Sequence, residues 1–198
     1  MNKLFTFLFV ISAVALSAQD FDKNVATARS SYASGDLENT RFALEQALHE
    51  LDVVIGKEIM KMLPTALGSI QYNAQQDNVT GGAGMATGLF VSRSYGTHPA
   101  SGRIDIINNS PLITSINAML AIPFVGNSAD GTQKVVKVQG YKGVLNKNVN
   151  EETGKTGYTL QVPMNNTLFT LEMDDTNENE IQALAGNVPL SKIAQMAR

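Results

Sequence analysis

Four strand-like segments follow one another at 135–138, 141–145, 158–162 and 168–173. The connections between them are short. The polar stretch 151–157 and the pair Asn165-Asn166 both suit hairpin turns. A parallel pair needs a crossover of a dozen residues or more, so strands joined this closely must be antiparallel. Two more candidate strands lie upstream at 87–95 and 103–108, linked by a loop with Pro99 and glycines. The chain must therefore build a largely antiparallel sheet of about six strands.

Helical periodicity surrounds that core of strands. Phe21, Val25, Ala28 and Tyr32 recur at steps of four, three and four. Gly35-Asp36 breaks the pattern. Leu37, Leu44, Leu48, Leu51, Ile55 and Met62 then mark a longer stripe that Pro64 ends. Glu45, Gln46, His49, Asp52, Lys57 and Lys61 fill its polar side. The two form a helical hairpin. Ser110-Pro111 suits an N-cap and first helical position, with Leu112, Ile113, Ile116, Met119 and Leu120 following at helical spacing. Asp175 with Glu178 looks like a capping box before a short helix carrying Ile181, Leu184 and Ala185. Pro189 opens a last turn with Leu190, Ile193 and Met196. The expected fold is α+β, a helical hairpin packed on the sheet with additional helices. Helices segregated on one sheet face, or divided over both, are the two arrangements open to it.

The chain divides into 1–18, 19–64 for the hairpin and 65–198 for the sheet domain. Residues 1–18 read as a secretory signal peptide. Lys3 is followed by an apolar run from 4 to 16, and Ser17-Ala18 supplies the small residues at the cut. A membrane-spanning helix needs about 20 apolar residues, more than this run holds. Cleavage is expected after Ala18, or after Ser17. The product would be exported, periplasmic or extracellular, with no stable membrane anchor. The absence of cysteine excludes disulfides, thiolate metal sites, a cysteine nucleophile and a lipid-bearing N-terminal cysteine. Without Lys3 the chain has 14 basic against 18 acidic residues, a formal charge of −4. An acidic chain without a basic run is a poor nucleic-acid binder.

Two resemblances rest on short motifs. Gly35-Asp36-Leu37-Glu38 with Leu44-Glu45-Gln46-Ala47-Leu48 resembles the middle of a tetratricopeptide repeat, except that Thr40 and Ala43 replace its usual Ala and aromatic. No second copy follows at a period of about 34 residues, so a lone hairpin is implied rather than a stacked array. Gly88-Leu89-Phe90-Val91-Ser92-Arg93-Ser94-Tyr95, Ser110-Pro111-Leu112-Ile113, Gly140-Tyr141-Lys142-Gly143 and Pro189-Leu190-Ser191-Lys192-Ile193-Ala194 together resemble a group of small exported bacterial proteins without assigned activity. That resemblance implies an envelope location and brings no catalytic residue.

No cluster carries recognisable chemistry. Gly82, Gly84 and Gly88 precede a strand, whereas a phosphate cradle follows one and opens a helix. The two histidines, His49 and His98, cannot form a three-ligand zinc site, and no Gly-x-Ser-x-Gly elbow is present. The acidic run 174–180 fails the EF-hand pattern at Glu180 and Gly186. Met60 and Met62 point to different faces of one helix, so they suit core filling better than copper binding. Arg93, Tyr95, Tyr141 and Lys142 would form a polar-aromatic binding patch if their strands were neighbours. The expectation is thus a non-enzymatic envelope protein that binds a protein or small-molecule partner, with no cofactor and no metal. A carrier of an apolar ligand between sheet and helices, and a hydrolase using His98, are the alternatives.

Overall fold

The computed structural model describes residues 12–82, 88–97, 100–121, 128, 131–149 and 154–197, with side chains from Asp20 onward. His98, Gly84 and the first eleven residues lie outside the described residues, so the expectations resting on them do too.

Helix α1 (Ser12–Ala33) and helix α2 (Leu37–Met62) form the expected hairpin. Gly35 turns the chain with φ +81°, and Asp36 caps α2 by accepting from the Asn39 amide at 3.0 Å. Asn39 Nδ2 also donates to Ser31 Oγ at 2.9 Å, which sets the two helices level with one another. α1 begins at Ser12 and so passes through the expected cleavage point. After Pro64 come a two-residue hairpin, β1 (Ala66–Leu67) and β2 (Ile70–Gln71), a 3₁₀ turn (Ala74–Gln76) and β3 (Asn78–Thr80).

Strands β4 (Phe90–Thr97) and β5 (Ala100–Asn108) precede α3 (Leu112–Ala121). Then β6 (Gln133–Val138), β7 (Tyr141–Val149), β8 (Thr156–Met164) and β9 (Thr167–Met173) form a meander, followed by α4 (Glu178–Gly186) and α5 (Leu190–Met196). The fold is α+β. The large sheet has seven strands in the order β3-β4-β5-β9-β8-β7-β6, antiparallel throughout. The seventh, β3, was not expected because three residues are too few to show a period. Helix α3 links β5, inside the sheet, to β6 at its edge. Closure comes from β9 returning beside β5, with Ile104 opposite Leu171 and Ile106 opposite Phe169.

Turn chemistry fixes the meander. Gln139 and Gly140 both have positive φ, as a two-residue hairpin between β6 and β7 requires. Asn165 does the same between β8 and β9. Gln139 then spends its amide on the C-terminal end of α4, donating to Gly186 O at 2.8 Å and Val188 O at 2.6 Å. At the other end of α4 the cap is Asn177, which accepts from the Glu180 amide at 3.0 Å. This shifts the capping box by two residues from the expected Asp175. Asp175 has φ +47° and pairs with Lys155 instead.

The helices divide over both sheet faces. On the first face Ile59 and Met60 of α2, Leu63 just past it, Ile181 and Ala185 of α4, and Leu190 and Ile193 of α5 pack against Val91, Ile104, Ile106, Leu160, Val162, Phe169 and Leu171. Met62 joins from the edge of that core, so the two methionines fill space. On the second face Ile116 of α3 covers Val144 and Leu168. Sheet alternation explains the split, because Leu168 and Phe169 are adjacent residues on opposite faces.

Candidate functional site

Arg93 and Tyr95 share a strand parity with Val91, so all three point into the first core. Arg93 is buried beneath the end of α2. Its Nε donates to Asp77 Oδ1 at 3.0 Å and its Nη2 to Asp77 Oδ2 at 2.6 Å. Nη1 donates to Leu63 O at 3.1 Å, and the guanidinium lies 4.5 Å from the centroid of the Tyr72 ring. Burial works against the charge, but the hydrogen bonds and charge of Asp77 outweigh it and hold Arg93 above the ordinary guanidinium value. Tyr95 is fully buried and donates its hydroxyl to Pro64 O at 2.8 Å. Burial pushes its phenol well above the ordinary value of 10, and nearby Arg93 opposes that only in part. Leu63 is buried, so this cluster satisfies the Leu63 and Pro64 carbonyls of the segment that leaves α2. Its geometry is that of a clamp between α2, Asp77 and β4.

Tyr141 and Lys142 lie on β7, with β5, β9 and β8 between them and β4. They are neighbours on one strand and so point to opposite faces. Tyr141 packs at the edge of the first core, and Lys142 is exposed. The four residues do not share a patch.

Past α3 the second sheet face is polar. Ser94, Arg103, Glu172 and Thr159 stand in one cross-strand row, and Ser92, Asp105, Thr170 and Gln161 in the next. Arg103 pairs with Asp105 at 3.1 Å and reaches Glu172 at 4.0 Å. An open recess of about 500 Å³ lies against this surface, lined by Ser94, Arg103, Glu172 and Asp174 among others. No group of three or more His, Asp or Glu among the described residues is placed to hold a metal ion. His49 lies against the Gly81 backbone: a Cβ on Gly81 would fall 2.7 Å from its Nδ1. In the acidic run, Thr176 and Asn177 both donate to Glu180 Oε2, so its polar groups serve the start of α4.

The unexpected surface is on the hairpin. α2 reaches the sheet core through its last turns, by Gly56, Ile59 and Met60, while its middle meets the segment after β3, through His49 against Gly81 and Asp52 accepting from the Gly82 amide at 3.2 Å. Its first half packs Ala43 and Ala47 toward α1, whose buried line is Ala28 and Ser31. The periodic leucines belong to neither contact. Leu37 is 65% exposed, Leu44 49%, Leu48 61% and Leu51 42%. Tyr32 of α1 is 69% exposed. Helical phase places the leucines about a quarter turn from the Ala43–Ala47 line, and Phe21, Val25 and Tyr32 about 20–60° from Ala28, on the side away from Ser31. Because the helices run in opposite directions, both displacements fall on the same side of the hairpin. The result is a two-helix apolar face floored by small residues.

Periodicity marked all of these residues as apolar but gave no warning that they face solvent. The available signal was length. A helix of 26 residues is about 39 Å long, and the sheet covers one end of it. No protein-family model, curated protein or solved structure matches the chain. Among the described residues no helix is long and apolar enough to cross a membrane.

Proposed function

We propose that the chain is an exported, non-enzymatic interaction module whose contact face is the apolar side of the α1–α2 hairpin. One observation carries the proposal: Leu37, Leu44, Leu48 and Leu51 are periodic, contiguous and exposed. Scattered exposed leucines are ordinary, but a contiguous apolar face marks a contact surface. The hairpin supplies it on a rigid support, held to the sheet by the Arg93 clamp. The leader-like sequence of 1–18 supports export.

The other readings have less behind them. A carrier would hold its ligand between sheet and helices. That layer is filled by side chains such as Phe169, Leu171, Ile181 and Ile193, all fully buried. The recess on the opposite face is polar. The hydrolase reading rests on His98, which lies outside the described residues; the other histidine, His49, has its Nδ1 buried against Gly81.

The test is a photo-crosslinking residue placed at Leu48 in the organism that makes the protein, with the same residue at Lys142 as control. Adducts at Leu48 and none at Lys142 are expected. No adduct at Leu48 would contradict the proposal.

A further inference from the structure

We propose that the occupant of this face is the hairpin of a second copy of the chain, the two pairing as a four-helix bundle about a two-fold axis parallel to the helices. The inference rests on the contact face argued above and names its partner.

Matched heights come first. Ser31 and Asn39 are level, as their 2.9 Å hydrogen bond shows. Counting outward at equal rise, Tyr32 comes within one residue of the level of Leu37, Val25 of Leu44 and Phe21 of Leu48. A two-fold axis parallel to the helices keeps every residue at its own height and exchanges the positions of α1 and α2. The apolar row of α1 in one copy then lies across from the leucine row of α2 in the other, level to within one residue's rise. The packing is antiparallel, as in a four-helix bundle. This axis also sends the two sheets to opposite sides, because each sheet lies beyond α2 on the side away from α1.

Area agrees with a second copy. Tyr32 and the four leucines expose on the order of 500 Å² per copy, so two copies would bury roughly 1,000 Å² of apolar surface before their rims, where specific interfaces begin.

The test is sedimentation equilibrium of the purified chain at micromolar concentration, with Leu44→Glu and Leu48→Glu beside it and circular dichroism on all three. The expected mass is twice that of the denatured chain for the wild type, and a single chain for both variants, with unchanged dichroism. A wild-type mass of one chain throughout overturns the proposal. A second measurement does not depend on those variants. The chain has no cysteine, so Val25→Cys and Leu44→Cys can be made separately and mixed under oxidation. A mixed disulfide should form faster than either self-disulfide, and the opposite order overturns the proposed axis. If the Leu48 photo-adduct joins a different protein instead of a second copy, this pairing is overturned while the contact face stands.

Discussion

Arg93 grips Asp77 through both carboxylate oxygens, at 3.0 and 2.6 Å, from a buried position in a strand whose neighbours on that face are apolar. The pair fastens the 64–80 segment, and with it the end of α2, to β4. Removing one partner leaves the other charged and largely desolvated. Asp77→Ala should therefore lower unfolding free energy by about 3 kcal/mol in urea titration. Arg93→Lys should be nearly as damaging, because an ammonium cannot span both oxygens and the Leu63 carbonyl. A loss under about 1 kcal/mol would mean the pair is solvated.

Tyr95 makes the fold sensitive to alkali. Burial raises its phenol above the ordinary value of 10. A group with a raised folded-state value contributes stability that is complete below the unfolded value and is lost as pH rises past it. Unfolding free energy should thus be flat in this respect up to about pH 10 and fall beyond it. Tyr95→Phe should lose about 1 kcal/mol at neutral pH with the Pro64 hydrogen bond, yet show a shallower decline above pH 10. Parallel alkaline limbs in the two proteins would refute this role.

Two apolar residues of α2 should behave oppositely. Ile59 is fully buried between α2 and the sheet, so Ile59→Ala should cost about 2–5 kcal/mol. Leu48→Ala, measured at dilution where copies are apart, should stay within about 0.5 kcal/mol. Equal costs would show that the leucine row is covered within a single chain.

Gly56 sets how closely α2 approaches the sheet. A Cβ there would meet Val79 Cγ1 at 2.4 Å and Leu89 Cδ1 at 2.8 Å. Ala normally gains about 1 kcal/mol over Gly inside a helix. Gly56→Ala should nevertheless destabilise, by about 1–2 kcal/mol, because α2 must lift from β3 and β4. A rise in melting temperature would show that the edge strand β3 yields instead.

Most elements were legible in the sequence because each carries its own period or cap. Six strands and the helices fall where alternation, Gly35-Asp36, Ser110-Pro111 and Asn165-Asn166 put them. Burial of Arg93 runs against its expected place in a binding patch, although Val91, Arg93 and Tyr95 share one parity while Ser92 and Ser94 take the other. Its partner was not legible, because Asp77 sits in a segment with no period. Strand order was also hidden. β9 returns beside β5 through pairings some 65 residues apart in the chain, and that return puts three strands between Tyr95 and Tyr141. The leucine row shows the remaining gap. Periodicity tells which side of a helix is apolar, whereas its cover depends on how much of the helix the rest of the chain can reach.

The central claim is that the leucine face of the hairpin is covered in the protein's working environment. A single Leu48→Cys in this cysteine-free chain, labelled with a maleimide, measures that cover directly. Labelling should be fast in the dilute purified protein and strongly slowed in the intact compartment of the organism that makes it, with an exposed control at Lys142→Cys equally fast in both. Equal rates at Leu48→Cys in the two settings would contradict the account.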